Sequence, residues 1–139
     1  MKKLILSLAA LVLTSEFAIA NNIKGLLHSR TTLEPITIGA GKALAEKPYN
    51  LEAGKYYKIT LKSDGSREVP IVGPEFFRNI WVNEVVINDI EIRPLGLDGF
   101  EFDDEGELEL TFVPIKPGTF SLGLPSAKSD RERAIFIVK

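Results

Sequence analysis

The stretch from Leu108 to Leu122 limits the fold more than any other part of the chain. Leu110, Phe112, Phe120 and Leu122 alternate with Thr111, Val113 and Ser121, the period of two expected of a strand with one buried face. Pro117-Gly118 lies between the two halves. Proline fixes φ, and the glycine after it takes positive φ at little cost, so the pair predicts a tight turn between two strands.

The rest of the chain repeats this grammar of short strands and Gly/Pro turns. Ile36-Thr37-Ile38 makes Leu33–Ile38 the place for a first strand. Ala43–Glu46 has room for a helical turn, and Asn50–Gly54 reads as a loop. Tyr57, Ile59 and Leu61 then alternate with Lys58, Thr60 and Lys62 until the turn at Ser63-Asp64-Gly65-Ser66. After the apolar run Val69–Val72, Pro74 is suited to the first position of a helix, with Glu75 favourable beside its N-terminus. Phe76, Phe77, Ile80 and Trp81 are predicted to share one face of that helical turn and plug the end of a sandwich. Val85–Ile92 reads as one strand, Phe100–Phe102 as another, Asp103–Gly106 as a turn and Ala134–Val138 as the closing strand. The pattern predicts an all-β sandwich with one short helical turn.

Two features bound where the chain works and what it contains. Residues 1–20 have Lys2 and Lys3, the apolar run Leu4–Thr14 and Ala18-Ile19-Ala20, which together form an export signal with its cleavage site. That places the mature protein, residues 21–139, in the periplasm, with no stable membrane insertion after cleavage. Loss of Lys2, Lys3 and Glu16 takes the formal charge from −2 to −3, which gives no basis for a nucleic-acid partner. The sequence holds no cysteine, so disulfides, thiolate metal sites and cysteine nucleophiles are excluded. Residues 21–32 are polar and without a period, and read as a flexible N-terminal segment leading into a domain at 33–139.

Leu51-Glu52-Ala53-Gly54-Lys55-Tyr56-Tyr57, with the later Phe112-Val113-Pro114-x-Lys116-Pro117-Gly118-Thr119-Phe120, resembles cupredoxin-like domains of exported bacterial proteins. The segment from Gly73-Pro74-Glu75-Phe76-Phe77 through Val85-Val86-Ile87 looks like the small periplasmic type associated with metal uptake. The resemblance covers most of 33–139 and implies a Greek-key β-sandwich. It also implies a copper site of two histidines, a cysteine and a weak axial methionine, ligands that suit copper's preference for imidazole and soft sulfur. The matching positions lack them. Gly123–Arg131, where most ligands belong, has no Cys, His or Met, and Val69–Phe77 has no His. The expectation is a module without a type 1 copper site and without a bound cofactor.

Three groups of residues are candidates for sites. Glu75, Phe76, Phe77, Arg78 and Trp81 lie where the resemblance puts the first ligand loop; an Arg–carboxylate pair beside aromatics would order a recognition surface. The competing expectation is that the aromatics are core. The acidic run containing Glu101, Asp103 and Asp104 offers hard oxygen ligands, but it lacks cage-forming loop spacing and reads equally as a solvated hairpin. His28, the single histidine, is eighth in the mature chain; it is either an exposed residue in a loose arm or one ligand of a copper or iron site shared with those carboxylates.

No Ser/His pair has a third partner, and no Gly-rich loop follows a strand in the manner of a phosphate site. The sequence therefore predicts no enzyme. What the resemblance implies is a periplasmic cupredoxin-like binding or accessory module that serves a redox or metal-handling system by contact with a periplasmic redox or metal-transport protein. A metal carrier built on carboxylates and His28 is the alternative.

Overall fold

The computed structural model of the protein describes residues 27–139. The export signal expected at 1–20 and the first residues of the N-terminal segment, 21–26, fall outside the described residues.

Among the described residues, eleven strands, one short helix and one 3-10 turn follow in order. They are β1 (Arg30–Thr32), β2 (Ile36–Ile38), β3 (Tyr49–Leu51), β4 (Tyr56–Asp64), β5 (Val69–Val72), α1 (Pro74–Arg78), β6 (Ile80–Ile87), β7 (Ile90–Ile92), β8 (Gly99–Phe102), β9 (Glu105–Pro114), β10 (Gly118–Gly123), the 3-10 turn Asp130–Glu132 and β11 (Arg133–Val138). They make two sheets. In the first, β4, β9, β6 and β7 are antiparallel neighbours, and β1 and β2 both run parallel to β4 along its other side. The second has the order β3-β11-β10-β5-β8, with only β3 parallel to its neighbour.

Alternation decides which residues fill the space between the sheets. Tyr57, Ile59 and Leu61 on β4 sit opposite Phe112, Leu110 and Leu108 on β9, and all six are buried. Ile71, Leu122 and Phe136 meet them from the second sheet and are wholly buried. Each such side chain contributes roughly 1.5–3 kcal/mol relative to exposure. On the opposite face, Lys58 pairs with Glu109, and Lys62 with Glu107 at 2.9 Å. These neighbours across strands keep that face soluble.

Pro117-Gly118 joins β9 to β10, the turn between two strands that was expected; the two strands do not pair, and the turn carries the chain from one sheet to the other. Gly118 has φ +152°, and a Cβ there would stand 2.8 Å from Phe120 Cζ, so a glycine is needed at this corner. Val85–Ile92 is not one strand: Asn88 and Asp89, at φ 49° and 65°, form the two-residue turn of a β6–β7 hairpin. Positive φ at both central positions matches the twist of the flanking strands. Arg30–Thr32, expected in the flexible segment, is a strand registered against Tyr56–Lys58. Asn50, expected in a loop, is within β3, and Glu105, expected in a turn, opens β9. No helix forms at Ala43–Glu46; Leu44 is buried there, its N–H donating to Arg131 O and its C=O accepting from Thr37 N.

Candidate functional site

The helix α1 carries the chain from β5 in the second sheet to β6 in the first. Pro74 occupies its first turn, as the sequence indicates. Gly73 lies against β10, where a Cβ would come within 2.7 Å of Ser121 O. Asn79 closes the other end, its side-chain amide donating to Glu75 O at 2.7 Å and its backbone N–H to Phe76 O at 3.0 Å. One helical turn leaves these carbonyls without intrahelical donors, and Asn79 supplies them.

The five residues expected to form a recognition surface are divided by this geometry. Phe76 is wholly buried, stacked on Phe136 at 4.3 Å between ring centroids and edge-on to Phe112 at 5.4 Å. Phe77 is also buried, edge-on to Phe100 at 5.7 Å. Both are core, so neither presents a surface to a partner. Trp81 does not share their face. It lies on β6 rather than on the helical turn, points away from buried Ile80, and is 46% exposed. Glu75 and Arg78 are exposed and paired at 3.1 Å. An ion pair this open to water contributes little stability, so both groups remain available for contact.

Glu75 also borders a cavity of about 290 Å³ where α1 meets the loop between β10 and β11; Ser121, Leu124, Pro125 and Arg133 line its other sides. This loop is closed by protein groups. Glu132 accepts the backbone N–H of Lys128 at 2.7 Å, and Arg133 donates to Ala127 O at 3.0 Å. Arg131 donates to Gly41 O at 3.2 Å, tying the loop to the β2–β3 connection. The Lys128 N–H holds the Glu132 carboxyl below its ordinary pKa, which keeps the closing group charged.

The candidate metal residues do not form one site. Arg30 is opposite Tyr56 in a parallel pair, so His28 lies beyond the first end of β4. Glu105 is opposite Asp64, so Asp103 and Asp104 lie beyond the last. The nine residues of β4 span roughly 27 Å, too far for a shared ion. Asp104 is turned to its own backbone, accepting Glu105 N at 2.7 Å. Glu101 and Asp103 instead meet Glu68, which the sequence reading passed over; β5–β8 pairing of Val69 with Phe102 brings the three carboxylates within 4.8 Å of one another. All three are exposed.

A second constellation was not visible to the sequence reading. Between Val82 and Glu84 the β6–β9 register shifts, and the extra residue is Asn83. Its amide donates to Tyr56 Oη at 3.1 Å and Thr111 Oγ1 at 3.2 Å, while its Oδ1 accepts from Arg93 Nη1 at 3.2 Å. Arg93 Nη2 reaches Glu84 Oε2 and Glu91 Oε2, both at 3.1 Å. A bulge re-aims a side chain, and this one satisfies Thr111, which is wholly buried. The signal was the break in alternation at Asn83-Glu84 within an otherwise apolar strand.

No protein-family model matches the sequence, and no curated protein does. Solved structures do match. They include a multicopper oxidase from Pseudomonas thermotolerans, with TM-score 0.55 and 17% identity over 79% of this chain and 30% of that one. A copper nitrite reductase from Nitrosomonas europaea gives 0.52 and 11% over 68% and 33%. A multicopper oxidase from Campylobacter jejuni, a metallo-oxidase, gives 0.50 and 10% over 74% and 23%. The chain thus spans about a third or less of each enzyme's length. At this identity the likeness defines the fold alone: an all-β, cupredoxin-like sandwich. The expectation that the chain is not an enzyme is corrected by the same neighbours. They are oxidases and a reductase, so the lack of a hydrolytic triad does not argue against catalysis in this fold. Among the described residues, no helix is long and apolar enough to cross a membrane.

Proposed function

We propose that the chain is a periplasmic cupredoxin-like binding or accessory module without a type 1 copper site, serving a copper- or redox-handling system by contact with a redox or metal-transport protein. The β10–β11 loop carries this reading. Where the cupredoxin resemblance calls for Cys, His and Met, the loop offers none of them, and its closure comes from Glu132 and Arg133. The adjoining cavity presents Glu75 and Arg133, whose oxygen and guanidinium do not match copper's preference for imidazole and soft sulfur. The surface at this end is left to Glu75 and Arg78, with Trp81 exposed just beyond the helix. Charged and aromatic side chains in this combination suit a protein contact.

Export rests on residues 1–20 and placement in the periplasm follows from it. The carboxylate carrier, with copper or iron as cargo, loses His28 as a shared ligand and keeps only the exposed Glu68, Glu101 and Asp103.

Cross-linking the full chain in the periplasm and identifying the bound proteins tests this reading. The expected result is a redox or metal-transport protein whose capture falls when Glu75→Ala and Arg78→Ala are combined. Unchanged capture in the double variant, or recovery of the chain only from the cytoplasm, overturns it.

A further inference from the structure

Among the described residues, four of the seven exposed large apolar side chains lie at or just beyond one edge; Leu27, Trp81 and Ile115 lie elsewhere. Ile87, Ile90 and Ile92, 38, 64 and 44% exposed, share one face of the β6–β7 hairpin, and Leu95 just beyond it is fully exposed. Among the described residues, β7 pairs only with β6 and ends the first sheet. In a two-residue hairpin the residues flanking the turn, Ile87 and Ile90, exchange ladder hydrogen bonds, and so do Val85 and Ile92 two residues on. The N–H and C=O of Glu91 and Arg93 therefore point out from the open edge. Pro94 holds Arg93 extended. β7 carries no lysine, internal proline or bulge; what protects this edge is its three-residue length and the charge of Glu91.

We propose that β7 is a self-association edge, with two copies of the chain pairing β7 antiparallel about a two-fold axis at Ile92. Charge selects this register. An axis at Ile90 sets Glu91 opposite Asp89 of the second copy, and an axis at Glu91 sets the two Glu91 carboxylates face to face. Asp89, at φ 65° in the turn, cannot join a ladder to offset that repulsion. An axis at Ile92 places Glu91 opposite Arg93 of the second copy, twice, with both residues directing their backbone groups outward. Pro94 falls on the parity of Ile92, so its missing N–H faces away from the second copy. Arg93 is already held at the edge by Asn83, Glu84 and Glu91, yet its side chain is 58% exposed. The two copies then form one continuous sheet, with the isoleucines as a single apolar strip along one face. A contact this short makes a reversible dimer.

The chain contains no cysteine, so a single introduced thiol reads the register. At the axis, Ile92→Cys puts two Cα atoms about 4.5 Å apart, within disulfide range. Ile90→Cys puts them more than about 13 Å apart. Oxidation of the full-length mature protein is expected to cross-link Ile92→Cys and leave Ile90→Cys monomeric. By sedimentation, the unsubstituted protein is expected to dimerise with concentration; Glu91→Arg raises the dissociation constant about tenfold or more, and adding Arg93→Glu restores it. Unchanged circular dichroism confirms that each variant is folded. A monomer at every concentration overturns the proposal and leaves β7 free or open to a strand from another protein. Equal cross-linking at Ile90→Cys, or a Glu91→Arg protein that dimerises normally, overturns the register.

Discussion

Phe76 touches both sheets at once, stacking on Phe136 of the second and meeting Phe112 of the first edge-on. Trp81, five residues later, rests half in solvent. The two substitutions should therefore separate clearly. Phe76→Ala is expected to cost about 3–5 kcal/mol, because it leaves a cavity that two sheets cannot close. Trp81→Ala is expected to cost under about 1 kcal/mol, as for surface positions. Urea unfolding measures both; comparable losses would contradict the placement of Trp81. The core role of Phe76 and Phe77 was legible in GPEFFRNIW, because proline marked where the helix begins. The position of Trp81 was not. The helix stops after one turn at Asn79, and a period of 3.6 extended past that stop puts Trp81 on the wrong face.

The β6–β7 hairpin shows how an element can be hidden by its own composition. Its turn is Asn88-Asp89, without the glycine that usually announces such a connection, and the apolar run reads straight through it. β1 was missed for a different reason: three residues with mixed polarity become a strand only because β4 offers a free edge. Long alternating strands such as β4 and β9 were legible because burial dictates every second residue. The sheet to which each belongs was not, since Pro117-Gly118 serves a crossover as well as a hairpin. The bulge at Asn83 sets a further test at this scale. Asn83→Ala removes the donor shared by Tyr56 and Thr111 and the acceptor for Arg93, so a loss of about 1–3 kcal/mol is expected in thermal or urea unfolding. A neutral substitution would mean that water replaces the amide at no cost.

At the scale of the molecule, two sheets and a one-turn helix bring the β5–α1 junction and the β10–β11 loop to one end of the sandwich. Composition alone excludes a cysteine ligand at that end, since the whole chain has none. It could not foretell that Glu132 and Arg133 would close the loop, nor that Glu68 would join Glu101 and Asp103 while strand length separates His28 from them. Those outcomes depend on register, which a single sequence encodes only through the packing it produces. The proposed function requires that this cupredoxin-like frame hold no type 1 copper. Calorimetric titration of purified residues 21–139 with Cu(I) and Cu(II), followed by elemental analysis after desalting, tests it most directly. The account predicts weak association that desalting removes. One copper retained per chain would contradict it.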